Sequence, residues 1–293
     1  MPRFTPEWAP VAPTVCAVCG HDPLDLEPQC PTCHTQRMAP NVVLASRQEE
    51  QDALVTRVEQ LLAGQSPDFV GSVLKFGEAV RRSVAVVNVS VRYAIDFLES
   101  ATLLYATYAK LVESGARRPA PGGDDAKRRS VESLLFGSYG EEMRYAALSI
   151  GGQGLVSYGP VTMVLRELAV AQRASLLEKN SYEFVEDHKL RPGLPLPTGH
   201  RCPWSTRHHL AMAKCGSKID DRTTDAQHRA LLLRQGSGRA TDEFIEVYIF
   251  GPFGRGAVER LVLPTKIPKD VAGSELRMLR AKAKLRGVPV EDA

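Results

Sequence analysis

The sequence predicts an α+β protein built from a small cysteine-rich module, a helical region and a mixed, mostly antiparallel sheet. Three observations predict it. Two Cys-x2-Cys pairs, Cys16-Ala-Val-Cys19 and Cys30-Pro-Thr-Cys33, stand near the start of the chain with ten residues between them. Apolar residues at steps of three and four then run from Leu54 to Val112, the period of helices packed on one face. Beyond a stretch rich in Pro, Gly and charge, the apolar period falls to two, most clearly in Phe244-Ile-Glu-Val-Tyr-Ile-Phe250, which is strand patterning.

Bulk properties exclude several classes. A chain of 293 residues with 43% hydrophobic and 24% charged residues has the composition of a globular protein of one or two domains. A net charge of +3 is too small to mark a nucleic-acid binder. No apolar run is long enough to cross a bilayer, and Met1-Pro-Arg-Phe-Thr-Pro begins nothing like a secretory signal, so the expectation is a cytoplasmic protein without a membrane partner. In a reducing compartment the six cysteines are more often metal ligands than disulfide partners.

Each element follows from local chemistry. The two pairs offer four thiolates, Cys16, Cys19, Cys30 and Cys33, which satisfy tetrahedral zinc with no open position. That makes residues 1–40 a zinc ribbon with a structural metal. The first forty residues hold Arg3 and Arg37 against Glu7, Asp22, Asp25 and Glu27, which points to a docking or stabilising module rather than a phosphate-binding surface. Residues 41–116 form the helical region. An amphipathic helix runs from Asn41 to about Leu62 and ends at Gly64. Ser66 caps the next helix, with Pro67 at its first position. Val73, Val80, Val84, Val87, Val91, Ile95 and Leu98 predict one long helix or two in series. Residues 117–129 read as a linker, and 130–270 as the sheet domain. Within it Met143 to Ile150 and Pro160 to Leu165 predict a hairpin across Gly151-Gly-Gln-Gly154. Four prolines make Arg191 to Pro203 irregular. A short helix from Ser205 to Lys214 carries His208 and His209 at its surface, and Cys202 and Cys215 are reduced thiols. Residues 271–293 predict a basic helix and tail, with Arg277, Arg280, Lys282, Lys284 and Arg286 against Glu275.

Glu246 is the first candidate for chemistry. Alternation puts Ile245, Val247 and Ile249 on one face of the late strand, and Phe244, Glu246, Tyr248 and Phe250 on the other. A carboxylate among aromatics loses hydration unless partners replace it, and such carboxylates cluster at functional sites.

Three features of the second half occur in a fixed order: an Arg on an early strand (Met143-Arg144-Tyr145), a Ser-bearing segment (Arg173-Ala-Ser175 or Asn180-Ser181-Tyr182), and Glu246 on a late strand. This resembles the Arg-Ser-Glu arrangement of the ADP-ribosyltransferase fold, which includes toxin and phage proteins. The resemblance implies a sheet domain of that type, NAD as substrate and a protein or nucleic-acid acceptor. It implies that Arg144 pairs with dinucleotide phosphates or ribose, that Ser175 or Ser181 braces the pocket, and that Glu246 is catalytic. Tyr145 or Tyr248 would stack on nicotinamide. The chain departs from the family in lacking a Ser-Thr-Ser and in carrying Phe244 two residues before Glu246, where the family has an acid. An unusual acceptor, NAD hydrolysis or loss of activity would each fit those departures. The alternatives are a non-enzymatic zinc-ribbon adaptor and a nuclease or nucleic-acid binder using the basic tail with His208 or His209.

Overall fold

The computed structural model describes residues 18–19, 30, 32–34, 38–107, 124–266 and 271–292. Its centre is one eight-stranded sheet in the order β5-β4-β6-β2-β1-β3-β7-β8. The strands are β1 Val84–Val89, β2 Met143–Ser149, β3 Val161–Leu165, β4 Ala174–Leu177, β5 Arg201–Pro203, β6 Glu246–Phe250, β7 Val258–Leu263 and β8 Val290–Asp292. All neighbours are antiparallel except β7 and β8. That parallel pair is joined by a crossover that includes the helix Gly273–Leu285, because parallel strands cannot be linked by a tight turn.

Register sorts the side chains into two faces. Ala85, Val87, Ala146, Leu148, Met163, Leu176, Val247 and Ile249 share one face and belong to a single core with Leu54, Val73, Phe76, Ile95, Leu210 and Leu279 from the helices that cover it. The other face carries two smaller clusters. One joins Leu177 and Tyr248 to Val131, Phe136 and Phe184, and the other joins Val86, Ala147 and Val164 to Leu155 and Phe244. Both faces are thus covered, which explains why β6 is buried on its aromatic side as well as its aliphatic one.

The structure revises four sequence expectations. The long helical run is a helix, Pro67–Arg81, then strand β1, then a second helix, Val91–Glu99. Val84 and Val87 continue a helical stripe between Val80 and Val91, while Val86 and Val89 fall off that stripe, as a doubly buried strand requires, and the branched β-carbons favour the strand. Ser66 and Ser90 cap the two helices by accepting from Phe69 N and Tyr93 N, each at 3.2 Å. The expected β2–β3 hairpin does not form, because β1 lies between the two strands and pairs with both. Residues 124–129, read as linker, begin the helix Asp124–Phe136; residues 117–123 fall outside the described residues. Finally, one core extends from Leu54 to Ala283, so the helical region and the sheet domain are packed as one body.

Asn88 on β1 fixes the long connection that replaces the hairpin. Its Nδ2 donates to Gly159 O at 2.8 Å and Thr162 Oγ1 at 3.1 Å, while its Oδ1 accepts from Leu155 N at 2.8 Å. A Cβ at Gly154 would collide with Asn88 Oδ1, so glycine is required there by close approach. Asn88→Ala is expected to destabilise the fold by about 1–3 kcal/mol, read from the shift in urea midpoint at unchanged m-value.

Candidate functional site

Glu246 opens β6 and is 6% exposed. Its Oε2 accepts from Ser181 N at 2.8 Å, Ser181 Oγ at 2.5 Å and Tyr248 Oη at 3.1 Å. Ser181 is the first residue of the helix Ser181–Asp187, whose N-cap Asn180 accepts from Tyr182 N at 2.9 Å. The free amides and dipole of a helix start favour a negative partner, so this short helix is anchored at one end by the Glu246 carboxylate. Burial, followed by the neighbouring Glu246 charge, raises the Tyr248 phenol well above its ordinary value, which keeps Tyr248 a donor.

Strand register places Tyr145, Ala147, Ser175, Leu177 and Tyr248 on the Glu246 face. Tyr145 packs edge-on against Tyr248 with ring centroids 5.6 Å apart and donates to Glu132 Oε1 at 2.9 Å. Ser175 is also buried on this face, but its Oγ accepts from Asn41 Nδ2 at 3.0 Å. Between the two candidate serines, Ser181 is therefore the one bonded to Glu246.

Arg144 is not brought to this face. It pairs across the sheet with Ile249, so its side chain projects to the opposite side from Glu246. There it is 2% exposed, and its guanidinium donates to Tyr105 O at 3.2 Å, Glu142 O at 2.6 Å and Glu142 Oε2 at 3.1 Å. The expectation that Arg144, a serine and Glu246 share one cleft is corrected accordingly: only the serine and the glutamate meet. Arg144 and Glu246 fall on opposite alternations of two paired strands, and only the register reveals this.

By register Arg201, opposite Leu177, and Arg260, opposite Val164, fall on the Glu246 face, where they pair with Glu50 and Glu291, and a third guanidinium, that of Arg239, reaches the same side. It lies 4.9 Å over the ring of Tyr158 and donates to Ser157 O at 3.0 Å. Tyr158 packs on Phe244 with centroids 6.2 Å apart, and Phe244 belongs to the same cluster as Ala147, the cross-strand neighbour of Glu246. Burial, then the charges of Glu246 and Asp242, raise the Tyr158 phenol to about 12. Asp242 ties this corner together by accepting from Ser157 Oγ and, at 2.8 Å, from Gly236 N. No spacing rule in the sequence points to Arg239 and Tyr158, which are 81 positions apart; a Gly-Ser-Gly turn before Arg239 is the only local cue.

His208 and His209 are buried, at 3% and 2% exposure, not on the surface. The helix Arg207–Cys215 is sandwiched against the helical layer, so its polar face has no solvent to meet. Cys202 and Cys215 are buried free thiols; burial pushes Cys202 up strongly and Cys215 to about 11, which leaves both protonated and unreactive.

Cys19, Cys30 and Cys33 lie close enough to hold a metal ion, with ligand atoms within 4.8 Å of one another. Cys19 Sγ and Cys30 Sγ are 3.5 Å apart. Backbone N–H groups of Cys33 and then Thr32 act against burial to hold the Cys30 thiol below its ordinary value. His34, just after the second pair, adopts φ 57° and its N–H donates to Cys30 O at 2.8 Å, the tight turn expected around paired thiolates. Cys16 falls outside the described residues. Among the described residues no helix is long and apolar enough to cross a membrane.

No family model and no curated protein matches the chain. The functional reading therefore rests on the site itself.

Proposed function

We propose that the chain cleaves the nicotinamide glycosidic bond of NAD, passing ADP-ribose to a protein or nucleic-acid acceptor or to water, with a sheet domain of ADP-ribosyltransferase type. The observation that carries the reading is the grip of Ser181 on Glu246 through both its amide and its hydroxyl. In this reading the C1′–N bond breaks, its electron pair leaves with nicotinamide, and the acceptor oxygen or nitrogen bonds to C1′. Glu246 stabilises the positive charge that develops on the ribose. Ser181 and Tyr248 fix the carboxylate so that no reorganisation is needed as that charge forms. The phosphate-binding role passes from Arg144 to Arg239, whose planar fork of donors matches phosphate oxygens. Tyr145, Tyr158 and Tyr248 are tyrosines of the same face, and the partly buried rings of Tyr145 and Tyr158 are the two that would stack on the nicotinamide or the ribose, Tyr248 being held against Glu246. The cysteine module holds a structural zinc ion with Cys16 as fourth ligand.

The test is incubation of the full chain with NAD, with and without cell extract, read for nicotinamide release and for label transfer from the adenylate. Release alone indicates hydrolysis, and label transfer identifies an acceptor. Ser181→Ala keeps the backbone amide and removes one of three donors, so turnover is expected to fall about tenfold. Arg239→Ala is expected to raise KM for NAD with a smaller change in kcat. Absence of both nicotinamide release and transfer under all conditions would leave the adaptor reading in its place.

A further inference from the structure

We propose a second metal site, separate from the cysteine module and independent of NAD chemistry, formed by Glu178, His188 and His200. Their ligand atoms lie within 4.8 Å of one another, although the residues come from three different segments. Glu178 directly follows β4, His188 ends the helix Ser181–Asp187, and His200 directly precedes β5. The backbone holds all three in place. Glu178 N donates to His200 O at 3.1 Å beside the paired Leu177 and Arg201, and His188 N donates to Phe184 O at 3.2 Å. The Phe184 ring, itself buried, lies 4.4 Å from the His188 ring and 5.7 Å from that of His200, and the two imidazoles meet edge-on at 4.9 Å.

The donor set selects the ion. Two imidazoles and one carboxylate suit zinc, cobalt or nickel, whereas magnesium and calcium prefer oxygen donors alone. Glu178 Oε1 is 2.7 Å from His200 Nδ1, the separation of a shared proton. An ion at about 2.0–2.1 Å from each atom would hold them roughly 3.3 Å apart, so the ion takes the place of that proton after a displacement of a few tenths of an ångström. Arg57 orients the carboxylate from behind, donating from Nη2 to Glu178 Oε2 at 2.8 Å, while its Nη1 donates to Gly199 O at 2.6 Å and stands 3.3 Å from His200 Nδ1. A guanidinium so close repels a cation, so this ion exchanges more readily than one held by four thiolates. Glu178 is buried but the two histidines are only partly covered, with His200 20% exposed, which leaves a fourth position for water or a ligand.

The site is tested by zinc titration of the full chain carrying Cys19→Ser and Cys30→Ser, which removes the thiolate site, followed by calorimetry and by histidine NMR. The expected result is one equivalent of zinc bound, with two of the seven histidines shifted. Adding His188→Ala should abolish that equivalent, and Glu178→Gln should weaken it by about 10–100-fold. Cobalt loading of the unaltered chain gives a readout that does not depend on any variant: a nitrogen- and oxygen-ligated spectrum superposed on sulfur charge transfer. Zinc binding unchanged by His188→Ala, or a cobalt spectrum from thiolates alone, would overturn the proposal.

Discussion

Glu246→Gln is expected to lower nicotinamide release from NAD on the order of 10²–10³-fold while leaving the unfolding midpoint close to that of the parent chain. The choice of glutamine follows from the geometry. Ser181 N, Ser181 Oγ and Tyr248 Oη all donate to the single oxygen Oε2, and an amide oxygen accepts the same three bonds. Packing between the two apolar clusters is therefore retained while the negative charge is lost, the second carboxylate oxygen becoming an amide nitrogen. Glu246→Ala would give a less clean result, because it would leave three buried donors unmatched and cost stability as well. If Glu246 serves only to anchor the helix Ser181–Asp187, Glu246→Gln will leave any NAD turnover untouched, and the catalytic assignment fails.

The second large effect concerns acid stability. His208 is 3% exposed, and neither of its ring nitrogens has a hydrogen-bond partner among the described residues. Burial, then the neighbouring His209, Arg81 and Arg207, lower its pKa from 6.5 to about 2. The folded chain therefore keeps His208 neutral across a range in which the unfolded chain protonates it. Stability from this group is complete above about pH 6.5 and is lost as pH falls toward 2. The limiting slope is about 1.4 kcal/mol per pH unit, so about 2 kcal/mol should disappear between about pH 7 and pH 5. His208→Leu fills similar volume without a titrating group, and is expected to flatten this part of the profile and to raise stability at about pH 5. Urea melts at several pH values check both statements. A parallel acid limb in the parent chain and His208→Leu would show that His208 is charged or hydrated in the folded state.

Much of the local structure is legible in the sequence. The alternation in β6 puts Glu246 on the aromatic face, and that face is observed. Ser66 with Pro67, and the basic helix near the end, are marked by capping and charge chemistry. The clustering of Cys19, Cys30 and Cys33 agrees with a spacing that thiolate coordination itself requires. Other features mislead for physical reasons. Val84 and Val87 of β1 fit a period near 3.5 with Val80 and Val91 as well as burial in a strand covered on both sides, and periodicity alone does not separate the two. Gly151 to Gly154 has the look of a hairpin turn because a strand arriving from about 60 residues earlier leaves no mark there.

By itself the sequence singled out candidates for chemistry: a carboxylate among aromatics, two paired sets of thiols, and serines in the segment from Arg173 to Tyr182. These are properties of residue type and of neighbours within a few positions. Only the tertiary structure decided which of them meet. It paired Ser181 with Glu246 and left Ser175 with Asn41. It turned Arg144 to the far side of the sheet, and gathered Glu178, His188 and His200 around Phe184. The reason is that strand order and register are set by burial summed over the whole sheet, and a shift of one residue moves a side chain from one face to the other.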